Sequence, residues 1–247
     1  TLADAMAAAA ADPDALGPDP ERLAALFAFV ELHVEQGRQL GPIGASVGVA
    51  THIWPHGRWH LRFCGEANHG GTTVLGDRRD PMLAFAESVA AARAAAGAHG
   101  GLTTVGRAIV TPNATNAVAS SVDAWLDARA PDETALGAIV ADVRVRASAA
   151  SAEHGVGIEV EKESLSPAVR FDGELRSRMG RVLRGAPEIG TGAGHDAGVL
   201  AAAVPSGMLF VRNPTGVSHS PAEHASLEDC LAGVDALSAV LEDLVWH

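Results

Sequence analysis

Two stretches decide how this chain is read: Ser46-Val47-Gly48-Val49-Ala50-Thr51-His52-Ile53-Trp54 and Arg58-Trp59-His60-Leu61-Arg62-Phe63-Cys64. Both alternate apolar with other residues, the period of a strand with one buried face. Pro55-His56-Gly57 between them carries turn chemistry, so the pair reads as a β-hairpin. Downstream, Gly65 to Thr73 is a loop of small residues. Asp80-Pro81 supplies an N-cap and a first-turn proline for a helix through Met82, Phe85 and Val89 to about Ala98. Leu102 to Val110 and Ser121 to Arg129 read as strands. Pro131-Asp132 opens a further helix carrying Leu136, Ile139 and Val143, and Val156 to Val160 closes the block. The order strand, strand, helix, strand, strand, helix, strand predicts an α+β unit over residues 43–166. Its helices would cover one face of a largely antiparallel sheet, as in ferredoxin-like folds.

The flanks read differently. Residues 1–19 are rich in Ala, Asp and Pro, fitting a short helix and a loop. Asp19-Pro20 reads as the cap and first residue of a helix. The spacing of Leu23, Leu26, Phe27 and Val30 carries that helix toward Glu31-Leu32-His33-Val34-Glu35-Gln36-Gly37. After Ser166-Pro167 comes a helix over Leu175 to Leu183, then a loop, Gly190 to Ala197, with Asp196 placed to cap a short helix. Gly207 to Val211 is a buried strand. Ser226 and Asp229 resemble a capping box before a last helix with Leu231, Val234, Leu237, Val240, Leu241 and Leu244. The class is mixed α/β, with residues 1–42 and 167–247 as parts of one domain and 43–166 inserted between them.

The chain has 247 residues, 47% of them hydrophobic and 19% charged, enough to bury a core and too apolar for a disordered chain. Its formal net charge of −12 repels phosphate backbones, which argues against a nucleic-acid partner. No apolar run is long enough to span a bilayer, and the alanines at 7–11 have no basic segment before them, so membrane and secretory readings are not expected. Two cysteines, Cys64 and Cys230, give no disulfide framework and read as buried thiols in a soluble cytoplasmic protein.

Of eleven histidines, His69, His195 and His219 sit in loops rich in glycine and small polar residues, and His33 lies between two carboxylates. Such loops are where binding groups concentrate, and neutral imidazole is the commonest metal ligand. A ligating histidine needs a carboxylate or carbonyl on its other nitrogen. Glu31-Leu32-His33-Val34-Glu35 and Ser218-His219-Ser220-Pro221-Ala222-Glu223 could each supply one. The bland alternatives are a solvated charge run and ordinary turn residues.

Five segments in order are similar to the M20-type metal-dependent amidohydrolases, in the group of N-carbamoyl-L-amino-acid hydrolases and allantoate amidohydrolases. They are Glu31 to Gly37; His69-Gly70-Gly71-Thr72-Thr73 with Arg78 and Asp80; Pro112-Asn113-Ala114-Thr115-Asn116 with Asp127-Ala128-Arg129; Gly192 to Ala197; and Gly216 to Glu223. The resemblance implies a two-domain metallohydrolase, in which 1–42 and 167–247 are parts of the catalytic domain and 43–166 is a lid and dimerisation domain. It implies two divalent ions, zinc or manganese, with His33 a ligand to one and His219 a ligand to the other. It implies that His69, from the lid of the neighbouring subunit of a homodimer, steadies the oxyanion. Asn116 and Arg129 would bind the substrate, with Gln36, Gly194 and His195 completing the pocket. The reaction implied is hydrolysis of a linear amide C–N bond, of a carbamoyl, ureido or N-acyl group, on a small carboxylate-bearing compound.

The family's His-x-Asp motif and Glu-Glu pair do not occur in these residues. The remaining ligands and the general base are therefore expected outside them, in an N-terminal segment or a second polypeptide. Two other readings stand beside this one: a non-catalytic dimerisation or ligand-binding subunit, and an aminoacylase or dipeptidase of the wider M20 group.

Overall fold

A computed structural model describes residues 1–15, 17 and 19–246. In chain order the elements are α1 (Leu2–Ala8), α2 (Pro20–Ala24), β1 (Phe29–Val34), β2 (Val47–Ile53), β3 (His56–Cys64), β4 (Asn68–His69), α3 (Pro81–His99) and β5 (Leu102–Thr111). There follow β6 (Ala117–Val118), β7 (Ser121–Arg129), α4 (Glu133–Glu153), β8 (Gly157–Ser166), β9 (Val169–Arg170), α5 (Gly173–Val182), β10 (Glu188–Thr191), α6 (Asp196–Leu200), β11 (Ser206–Val211) and α7 (Leu227–Trp246).

The strands form two main sheets. One runs β1-β11-β2-β10, with β9 also on β2; the other runs β5-β7-β3-β8, all antiparallel. The second sheet carries the expected unit: β3, α3, β5, β7, α4 and β8 follow in β-α-β-β-α-β order, the ferredoxin-like arrangement. Its strands alternate as their sequences require. Trp59, Leu61 and Phe63 of β3 and Val122, Ala124, Leu126 and Ala128 of β7 turn toward the helices. Arg58, His60, Arg62, Asp123, Trp125, Asp127 and Arg129 take the alternate positions on the open face. Helix α3 buries Ala84, Ser88, Ala92, Ala95 and Ala96, a stripe of small side chains that lets α4 pack close. Both helices start as read, with Asp80 and Asp132 accepting backbone N–H groups as N-caps.

The hairpin is not formed. β2 and β3 lie in different sheets: β2 pairs with β11 and β10, and β3 with β7 and β8. Alternation identified both strands but cannot choose their partners. The run Gly48-Val49-Ala50, buried without interruption, is the mark of a strand covered on both faces. Residues 47–53, read as part of the insert, thus pair within the first sheet, and the second sheet begins at His56.

The helix expected to run into Glu31 is also corrected. Asp19 caps it and Pro20 opens it, but it ends at Ala24, and Phe29–Val34 is a strand parallel to β11. Leu23, Leu26, Phe27 and Val30 fit a helical spacing by coincidence. The controlling period is two: Val30 and Leu32 pack on the core with Leu175, Met179 and Val240, while Phe29 packs with Phe210 and Met208 on the other face. Helices cover both faces of this sheet, α6 on the Phe210 side and α5 with α7 on the Leu209 side. Cys64 and Cys230 are exposed rather than buried; Cys64 falls at an outward position of β3. Among the described residues no helix is long and apolar enough to cross a membrane.

Candidate active site

Reading β1 as a strand puts Glu31 and His33, two apart, on one face. That face meets the loop before α6, and there His195 joins them: one ligand atom from each of Glu31, His33 and His195 lies within 4.8 Å of the others. The His33 Nδ1 lies 2.7 Å from the Val34 carbonyl; as the donor there, it leaves Nε2 with a free lone pair. Its ring meets His195 edge to face at 4.8 Å, and His195 meets Phe210 the same way at 5.7 Å.

Glu31 Oε2 accepts the Ala197 N–H at 2.7 Å, at the start of α6, and Oε1 lies 3.6 Å from His195 Nδ1. Asp196 was expected to cap this helix. It is instead the first helical residue, and His195 holds the cap position without a side-chain bond, the strand's Glu31 supplying the acceptor. The His195 side chain is 2% exposed, and its Nε2 has no hydrogen-bond partner among the described residues. Burial, with the neighbouring His33, pushes its pKa below the ordinary imidazole value and outweighs Glu31 and Asp196, so His195 is neutral near pH 7. Two imidazoles and a carboxylate, one ring nitrogen buried without a partner, are a donor set suited to a borderline divalent cation.

Beside this cluster the chain turns at Gln36-Gly37. Glu35, 2% exposed, holds the turn from inside: Oε1 accepts the Gln39 N–H and Oε2 the Leu40 N–H at 3.1 Å. Gln36 Nε2 reaches His219 Nε2 at 3.3 Å. His219 sits in the left-handed region, φ 56°, with its N–H donating to Glu223 Oε2 at 2.7 Å; the Ser218 hydroxyl donates to Oε1 of the same carboxylate at 3.1 Å. Gln36, His219 and Arg129 border one cavity of about 380 Å³.

Arg129, the last residue of β7, reaches this cavity from the second sheet. Its Nε and Nη2 donate to Asp127 at 2.7 and 3.2 Å, and Nη1 donates to the Gly192 carbonyl at 2.6 Å. A guanidinium has five N–H groups, so these three bonds leave two for a ligand.

The other expected residues lie apart from the cavity. His69, in β4, and Asn116, in the turn just before β6, lie side by side, both exposed, with the Gly70 N–H donating to the Asn116 carbonyl at 2.8 Å. Gly194 and His195 border a neighbouring cleft, while Gly192 and Ala193 border the cavity itself. The sequence offers Glu31 and Glu35 only as carboxylates flanking His33, and gives Trp54 no role; the alternation of Glu31 with His33 in a strand over 29–34 is what puts Glu31 on the His33 face. A larger groove of about 920 Å³, between Phe27, α5 and α7, holds none of the expected site residues.

The family model "Peptidase family M20/M25/M40" matches residues 5–243. An N-carbamoyl-L-amino acid amidohydrolase of Geobacillus stearothermophilus is 35% identical, over 100% of this chain and 61% of its own. An allantoate amidohydrolase of Escherichia coli (strain K12) is 32% identical, over 89% of this chain and 55% of its own. The crystal structure of an amidase of the hydantoinase/carbamoylase family from Burkholderia vietnamiensis superposes with a TM-score of 0.81 at 30% identity, over 88% of this chain and 55% of that one. The chain thus spans little more than half the length of these relatives. With the match running nearly end to end and the likeness holding in both sequence and fold, the chain belongs to the M20/M25/M40 peptidase family.

Proposed function

We propose that these residues form the lid-bearing part of a metal-dependent amidohydrolase that cleaves a linear carbamoyl or ureido C–N bond on a small carboxylate-bearing compound. The observation that carries this is the convergence of Arg129, Gln36 and His219 on one cavity beside the Glu31–His33–His195 cluster. The names of the relatives support it, since N-carbamoyl amino acids and allantoate pair a carbamoyl or ureido group with a carboxylate.

In this reading His33, with Glu31 and His195 grouped beside it, and His219 would hold a pair of divalent ions, zinc or manganese, and further ligands with the general base would come from outside these 247 residues. Such ions, when bound, supply an activated water and polarise the scissile carbonyl. The free N–H groups of Arg129 take the substrate carboxylate, and the guanidinium stays in place because Asp127 and Gly192 hold it. Gln36 orients the amide, and Glu35 keeps Gln36 at the cavity wall. His69, presented on the exposed β4–β6 ribbon beside Asn116, serves the cavity of a second copy of the chain, where its imidazole donates to the oxyanion. The second sheet with α3 and α4 is accordingly the lid and dimerisation unit.

The test is native mass spectrometry and metal analysis of the protein from its own source, with turnover of N-carbamoyl and N-acetyl amino acids. Bound divalent metal and preference for carbamoyl compounds support the proposal. Preference for acetyl compounds moves the protein to the aminoacylase reading. A homodimer without metal, indifferent to His33→Ala and His219→Ala, would make it a non-catalytic subunit.

A further inference from the structure

The cavity is polar at Gln36, His219 and Arg129, yet one wall is an indole. Trp54 follows β2, where its backbone N–H donates to the Thr191 carbonyl at 2.8 Å. Among the described residues it belongs to none of the three hydrophobic cores, and it is half-buried. Its ring lies against the Gly190–Gly192 backbone. A Cβ on Gly190 would stand 2.9 Å from the indole Nε1, and a Cβ on Gly192 would stand 3.6 Å from its Cε3 and 3.9 Å from Arg129 Cδ. Glycine at these positions lets the ring lie close to the backbone, and the ring and the Arg129 side chain both approach Gly192. Leu102, 59% exposed, borders the cavity too, opposite Arg129 in the β5–β7 register. An aromatic ring and a leucine outside the three cores, on the same cavity wall as the Arg129 guanidinium, offer contact surface to an apolar group.

We infer that Trp54 is a specificity-determining residue and that the protein selects carboxylate substrates bearing a large, flat, apolar side chain, an N-carbamoyl aromatic amino acid in chemical class. The inference rests on Arg129 as the carboxylate anchor of the proposed function. With the carboxylate on Arg129, the α-substituent lies within reach of the indole, and stacking excludes water from both faces. A substrate without a side chain leaves the indole and Leu102 wet, and a charged one meets them with its own hydration to lose.

The experiment compares N-carbamoyl-L-phenylalanine with N-carbamoylglycine on the full-length protein, by titration calorimetry and, for turnover, by kcat/KM. Both compounds offer the same carbamoyl and carboxylate groups, so their ratio isolates the wall. Roughly tenfold or greater preference for the phenylalanine compound is expected. Trp54→Ala should shrink it to about twofold, and Trp54→Phe should keep most of it. Equal binding of the two compounds by the unaltered protein, or a ratio that survives Trp54→Ala, overturns the inference. Turnover of both without discrimination overturns it and leaves the hydrolase reading standing. Selective binding without turnover supports it and overturns the hydrolase reading instead. Binding of neither overturns the carboxylate anchor and the inference together.

Discussion

Arg129 donates to the Gly192 carbonyl at 2.6 Å, so the last residue of β7 is tied to the loop that follows β10 in the other sheet. The same guanidinium is forked onto Asp127, which shares its face of the strand. A side chain so fixed has little freedom left to lose when it meets a carboxylate. Arg129→Ala should raise KM for carboxylate substrates at least about tenfold, the loss of a hydrogen bond to a charged group. An uncharged amide analogue should suffer much less. Arg129→Lys should recover only part, because an ammonium cannot hold Asp127, Gly192 and a substrate in one plane. Steady-state kinetics on the matched pair decides it; equal losses on both substrates would remove Arg129 from carboxylate binding.

Glu35 is the second lever, since its carboxylate holds the backbone of the turn that presents Gln36. Glu35→Ala leaves the buried Leu40 N–H without its acceptor, at about 1–3 kcal/mol, and adds a smaller loss at the Gln39 N–H, which water can reach. Glu35→Gln keeps one acceptor and should recover about half of the loss. Denaturant unfolding reads the stability change, and KM reads the displacement of Gln36. A KM that stays fixed while stability falls would make Glu35 a folding residue only.

The insert was legible because its signals are local: alternation in β3 and β7, and Asp-Pro or Asp caps on α3 and α4, all lie within a few residues. What the sequence hid was pairing. Nothing between Ser46 and Cys64 says that β2 joins β11, 160 or more residues away, while β3 joins β7 and β8. The site suffered from the same gap. His33, His219, Gln36 and Arg129 could be named from motifs, and Glu31 as a carboxylate near His33, but the shared face of Glu31, His33 and His195 stayed hidden with the segment read as a helix, and Trp54 stayed hidden as the end of a hairpin strand. Neither Glu31 nor Trp54 carries a chemical signature of its own; each matters through a neighbour that the topology brings from far along the chain.

Gly65 shows how tightly the base of the His69 loop is built. A Cβ there would stand 2.2 Å from the Arg79 carbonyl oxygen and 2.6 Å from Pro81 Cδ, while the Glu66 N–H donates to that same carbonyl at 3.0 Å. Backbone cannot yield as a side chain does, so Gly65→Ala should cost about 1–3 kcal/mol. Gly97, inside α3, is the control, since a Cβ there meets no described atom within 4 Å. Gly97→Ala should stabilise by roughly 0.5–1 kcal/mol through helix propensity. Thermal unfolding of the two variants should move in opposite directions, and a neutral Gly65→Ala would show that the loop base can spread.

Asp229 sits in the first turn of α7, 1% exposed, accepting from Arg212 Nη2 at 2.8 Å and Nε at 3.1 Å and from the Ser226 hydroxyl at 2.7 Å. Burial alone would push its carboxyl up, but bonds from Ser46 and Ser226 and the Arg212 charge outweigh it and hold the pKa below the ordinary 3.8. A carboxylate whose folded pKa is depressed binds its proton more readily when unfolded. Its stabilisation is therefore complete above pH 3.8 and drains away as pH falls from there through the lower folded value. Asp229→Asn should cost about 3 kcal/mol near pH 7, because Arg212 loses its charge partner in a partly buried place. The variant should also lose part of the fall in stability that the unaltered protein shows below pH 4, since the group that titrates is gone. Urea unfolding at several pH values from 7 down to about 2.5 compares the two profiles. Parallel profiles over that window would mean that Asp229 contributes hydrogen bonds but no proton-linked stability.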